Sequence, residues 1–197
     1  MGILDVLHFP DSRLRRPSEP IEKITDELRQ LATDLLETMY DEPGIGLAAP
    51  QVGTAIRLIV LDTNWTEEDA DRKPCVFVNP EITERSGELI WNEGCLSVPD
   101  FSADVKRAER VVLRALDLEG REVVETASGL RAVCFQHEVD HLDGVLFIDR
   151  ISRLKRNLYV GKRKKLLEEE GERWTSNGER PPVPIHTTKL GTIGTKL

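Results

Sequence analysis

The sequence is poor in cysteine: Cys75, Cys95 and Cys134 are its only three in 197 residues. An odd, small number makes a poor disulfide framework, so the thiols are read as free. No apolar run approaches the ~20 residues needed to span a bilayer. The start, MGILDVLHFPDSRLRR, lacks the charged-then-apolar order of a secretory signal. It opens with Met-Gly, but Val6 stands where a myristoylation signal needs Ser or Thr. Positive charge is also in deficit, with a formal net charge of -8. That argues against a general nucleic-acid binder, while leaving room for a local basic patch. From these absences a reducing compartment, the cytoplasm, is expected, and no membrane partner. There a free cysteine can serve as a metal ligand.

What is present suffices for one domain with length to spare, and 39% of the residues are hydrophobic. Leu28, Leu31, Leu35 and Met39 recur at helical spacing, predicting a helix over Thr25–Tyr40 that Asp41-Glu42-Pro43-Gly44 stops. GIGLAAPQVG, Gly44–Gly53, is too irregular for a helix and reads as a loop or short strand whose backbone approaches something closely. Strands are expected at Ile56–Leu61 and Cys75–Val78. Ile82–Arg85 and Glu88–Trp91 flank Ser86-Gly87 as a hairpin. Val105–Leu118 reads as one long strand that Glu119-Gly120 turns into Glu122–Thr126. Ser128 then caps a second helix ending at Asp143-Gly144, and a third runs from about Ser152 to Glu170. The fold class is therefore α+β, with antiparallel sheets wrapped around a central helix and a C-terminal helix beyond. Residues 1–170 read as a single catalytic domain. Residues 171–197, rich in Gly, Pro, Thr and Ser, read as an extended or disordered tail.

The central helix carries the pattern H-E-x-x-H as His137-Glu138-Val139-Asp140-His141. One turn apart, the two imidazoles point the same way and can hold one divalent metal, with Glu138 placed to act as general base. Exposed helices also carry solvated histidine pairs. Here the pair continues the apolar stripe Leu130-Val133-Cys134, so both rings face inward, where unpaired polar groups are costly. A catalytic site needs a third protein ligand. The large metalloprotease class with a third His is excluded, because Phe147 stands at that position. Spacing leaves Asp149 downstream open, but Cys95 upstream is the better candidate, because it follows a strand and Gly94 beside it permits tight backbone geometry. A thiolate with two imidazoles suits Zn2+, Fe2+, Ni2+ or Co2+.

Three segments, GIGLAAPQVG, EGCLSVPD and HEVDHLDG, stand in this order and resemble the three signature motifs of the peptide deformylases. The opening HFPDSRLRRPSEPI resembles that family's N-terminal stretch, and the likeness runs from about Ile3 to Glu170. The resemblance implies a metal-dependent hydrolase that removes formyl groups from N-formylmethionyl nascent peptides. It implies Cys95, His137 and His141 as metal ligands, Glu138 as general base and acid, and the Gln51 amide with the Leu96 N–H as oxyanion donors. It places Ile45, Trp91, Leu130, Val133 and Cys134 around the methionine side chain and Gly46 against the substrate backbone. For the five side chains around the methionine, ordinary core packing is the alternative reading, since a pocket wall is also packed. Ferrous iron is the metal implied for the cell.

The chain departs from the family pattern at Ser102, where many bacterial members carry Arg, and at Arg131, where an apolar residue is common. The last helix holds Arg153, Lys155, Arg156, Lys162, Arg163, Lys164 and Lys165 with no acid between its first and last cation. Such a run is either a solvated face or, as the resemblance implies, a contact with the ribosome through residues 152–170.

Overall fold

The computed structural model describes residues 2–65 and 72–169. The expected tail, 171–197, lies outside the described residues. Helix α1 spans Asp26–Asp41, and Thr25 caps it by accepting the Leu28 N–H at 3.3 Å. Strand β1 (Gly46–Ala48) follows, then a 3-10 turn at Ala49–Val52 and β2 (Leu58–Leu61). After β3 (Cys75–Ser86), β4 (Leu89–Cys95) and β5 (Val98–Arg107) come β6 (Arg110–Leu116) and β7 (Glu122–Ser128). Helices α2 (Gly129–Leu142) and α3 (Arg153–Glu169) flank a short 3-10 segment, Phe147–Asp149.

The strands form two sheets. Five of them pair antiparallel in the order β1-β2-β3-β6-β7, and β4 pairs with β5 alone. The expected hairpin at Ser86-Gly87 is therefore absent. β6 takes Ile82–Ser86 of β3, and β4 pairs along its length with β5, so the chain changes sheet at Gly87, with φ +66. The expected strand Val105–Leu118 is likewise two strands in two sheets. Gln136 of α2 satisfies the backbone at the crossing, accepting the Ala108 N–H at 3.0 Å and donating to its carbonyl at 2.9 Å. β3, expected to end at Val78, continues through Asn79-Pro80 by a bulge. Asn79 sits at φ +51, and its side-chain amide bonds both backbone groups of Ile21 at 2.8 Å.

The burial pattern explains the layers. β2 is buried on both faces: Ile59 and Leu61 point to the α2 side, Leu58 and Val60 to the α1 side. Leu28, Ala32, Leu35 and Met39 supply the inner stripe of α1. α2 is enclosed all round, with every residue from Ala132 to Leu142 buried, and Phe135 packs edge-on to Phe77 at 5.3 Å. The apolar stripe seen in the sequence is thus one side of a helix buried on all sides. β5, α3 and the 3-10 segment enclose a further apolar cluster around Val105, Phe147 and Tyr159. No helix among the described residues is long and apolar enough to cross a membrane.

Candidate metal centre

Two elements bring the three expected ligands together. Cys95 ends β4 at the two-residue turn Leu96-Ser97, and His137 and His141 stand on α2. Their donor atoms lie within 4.8 Å of one another, all buried. Cys95 Sγ is 3.2 Å from His141 Nε2, which is 3.3 Å from His137 Nε2. A tetrahedral ion with thiolate and imidazole bonds separates its donors by about 3.3–3.6 Å. Both separations are close to those values, so the donor set suits a single ion. Asp149 is not part of it, being held by Arg15, Arg156 and the Leu146 N–H. Phe147 instead packs its ring over His137 at 6.2 Å.

A partner the sequence did not mark orients the first histidine. The His137 Nδ1–H points to Glu93 Oε2 at 2.9 Å, which directs Nε2 toward the other two donors. Glu93 in turn receives Arg107 in a two-pronged ion pair at 2.6 and 2.8 Å. Arg107 also reaches Asp140 at 2.6 Å, and Arg150 closes the chain on Asp140 from the surface. Burial pushes Glu93 toward its neutral form, but hydrogen bonds and charge from Arg107 and His137 outweigh it and hold the carboxyl at about 2. Burial holds the His141 ring well below its usual range, leaving it neutral as a ligand must be. Glu93 lies inside the quoted EGCLSVPD segment and Asp140 inside H-E-x-x-H. Nothing in the sequence marks Arg107, which folding brings to them from β5.

Glu138 is 1% exposed, and its Oε2 has no hydrogen-bond partner among the described residues. Burial raises its carboxyl from 4.5 to about 7, with Glu93 and Asp140 adding to the push against His137 and Arg107. Gln51 lies across the centre in the 3-10 turn. Its Oε1 accepts the Ala48 N–H at 2.8 Å, and this fixes the amide so that Nε2 faces Ser97 Oγ at 3.1 Å and Cys95 Sγ at 3.7 Å. Leu96 occupies the turn after Cys95, with its side chain buried.

Ile45, Val133 and Cys134 belong to one buried cluster, with Trp91 and Leu130 half-buried against it. Burial keeps the Cys134 thiol well above its ordinary range, so it is a neutral wall. A Cβ on Gly46 would collide with Glu138 Oε1 and come within 2.9 Å of Cys134 Sγ. Gly46 is thus the close approach expected of the glycine-rich segment. Of the two departures, Ser102 is exposed on β5, and Arg131 is accommodated by Glu125 and by stacking 5.1 Å over Phe135.

Comparison with known proteins converges on one group. The family model for polypeptide deformylase matches residues 3–157. A peptide deformylase of Alkalilimnicola ehrlichii is 52% identical over 169 residues, covering 86% of this chain and 93% of the relative. One from Afipia carboxidovorans is 51% identical over 163 residues, covering 82% and 94%. Among solved structures, a peptide deformylase from Legionella pneumophila superposes with a TM-score of 0.78 at 42% identity, covering 87% of this chain and 99% of its own. The deformylase of Synechococcus elongatus in complex with actinonin gives 0.75 at 42%, covering 91% and 92%. The matched span takes in β1, the Cys95 turn and α2 together, the three places that build the centre, and so this chain belongs to the polypeptide deformylase family.

Proposed function

We propose that the catalytic domain, residues 1–170, hydrolyses the N-terminal formyl amide of N-formylmethionyl nascent peptides, releasing formate and a free amine. The observation that carries this is the buried Cys95–His137–His141 set, with a Glu138 carboxylate oxygen beside it that has no hydrogen-bond partner among the described residues, and the Gln51 amide fixed across from it. The three ligands would hold one divalent ion, whose chemistry when bound is Lewis-acid activation of water and of the formyl carbonyl. Glu138 takes the proton of the attacking water and delivers it to the departing amine nitrogen. A carboxyl raised to about 7 can do both near neutral pH. Gln51 Nε2–H and the Leu96 N–H stabilise the negative charge that develops on the formyl oxygen.

The methionine side chain packs among Ile45, Trp91, Leu130, Val133 and Cys134. The peptide backbone adds as a strand beside Gly46, which suits β1 because it stands at the edge of its sheet. The donor set admits Zn2+, Ni2+ and Co2+; by family resemblance the physiological ion is Fe2+. The site of action is the cytoplasm, with the basic face of α3 meeting ribosomal RNA phosphates. That contact should weaken steeply with salt.

The central test is formate release from a formyl-Met peptide by anaerobically prepared enzyme, with Glu138→Gln alongside. Wild-type turnover and at least a hundredfold loss in the variant, with its metal content intact, are expected. Equal rates would remove Glu138 from the mechanism, and no wild-type formate with any of the four metals would end the reading. Ribosome co-sedimentation of Lys162→Glu/Lys164→Glu/Lys165→Glu tests the helix, and unchanged binding would sink that part.

A further inference from the structure

Helix α3 does not lie passively on the domain. Tyr159, only 5% exposed, stacks on Phe101 of β5 at 4.6 Å and 25°. Phe101 stacks on Phe147 at 5.9 Å and 20°, and Phe147 on the His137 ring at 6.2 Å and 26°. Four rings thus run from α3 to a metal ligand. A second route leads to the other side of the centre. The Tyr159 ring meets Phe9 at 5.9 Å, and Arg163, one turn on, donates to the Phe9 carbonyl at 3.2 Å. The Phe9 N–H donates to the Ser97 carbonyl at 2.7 Å, and Ser97 Oγ accepts the Gln51 amide at 3.1 Å. Ser97 stands two residues from the ligand Cys95 in the same turn.

We propose that Tyr159 is a positioning residue that keys α3 to the centre, holding His137 through Phe101 and Phe147 and the Cys95–Ser97 turn through Phe9. Interiors are close-packed, so removing the ring leaves its neighbours room to turn, and ring orientation is what a metal ligand must keep. The inference rests on Cys95, His137 and His141 holding the metal. It extends that reading to the C-terminal helix, whose outer face remains free to engage a partner while its inner face supports the chemistry.

The test uses the full chain loaded with Co2+. Wild type should show a thiolate-to-cobalt charge-transfer band and a tetrahedral d–d envelope. Their absence would remove the metal reading, and this inference with it. Given those bands, Tyr159→Leu, which keeps apolar bulk without the ring, should shift the d–d envelope and raise the Co2+ dissociation constant about tenfold or more, the scale known for outer-shell partners. Tyr159→Phe should restore both, because among the described residues the hydroxyl bonds only the Pro99 carbonyl, at 3.4 Å. A folded Tyr159→Leu protein with wild-type spectrum and affinity would overturn the proposal. If that variant does not fold, Phe101→Leu breaks the same stack from β5, and an unchanged spectrum there would be equally fatal.

Discussion

At the scale of single residues, the centre depends on one missing methyl group. Gly46 lies so close to Glu138 that any Cβ there must displace the carboxylate. Gly46→Ala is expected to lower formate release about a hundredfold, the usual cost of misplacing a reacting group by an ångström. Its metal content should stay at wild type, because no metal ligand is touched, and metal analysis beside the assay checks this. Gln51 is held differently. Its carbonyl end is tied to Ala48, so only the amine end can serve an oxyanion. Gln51→Ala should therefore cost about 10²–10³ in kcat, with little change in KM. A fall confined to KM would assign it to substrate binding instead.

At the scale of elements, β4, β5 and α2 are joined by charge where apolar packing would be expected. Arg107 and Glu93 are buried at 5% and 0% exposure; the pair joins β5 to β4, and its further bonds to Asp140 and His137 tie both strands to the metal-binding helix. Removing one partner leaves the other charged and dry, so Arg107→Ala should lose roughly 3–5 kcal/mol in a urea titration. The pair also predicts a pH dependence. The Glu93 carboxyl is depressed from 4.5 to about 2 in the folded state. Its contribution is complete above 4.5 and fades as pH falls toward 2. The stability gap between wild type and Glu93→Gln, measured on metal-free protein, should narrow over that interval. A gap independent of pH would mean that Glu93 is not charged in the fold.

At the scale of the whole molecule, three apolar clusters hold the described residues, and of the three metal ligands only Cys95 belongs to one of them. The metal-free protein should fold and still gain stability on loading. A metal at a thousand times its dissociation constant adds about 4 kcal/mol, or roughly 8–16 °C in Tm for a chain this long. Calorimetry with and without a chelator checks it. A chain unfolded without metal would show that the centre holds the fold and is not merely carried by it.

The sequence by itself determined whatever depends on neighbours in the chain. His137 and His141 lie one turn apart because a helix has a fixed period, and Thr25 caps α1 by a local hydrogen bond. The three motifs carried Cys95, Gln51 and Glu138 into view because the centre draws on short segments. Only the tertiary structure decided which sheet each strand joins. The hairpin expected at Ser86-Gly87 had a suitable turn, but partner choice depends on β5 and β6, twenty residues or so downstream. Nor could the chain order show that Arg107 would close on Glu93 and Asp140, or that Tyr159 would stack toward His137. Those contacts join residues distant along the chain, and side-chain spacing is silent about them. The H-E-x-x-H segment was legible from the start. What orients its first histidine became legible only once β4, β5 and α2 were folded against one another.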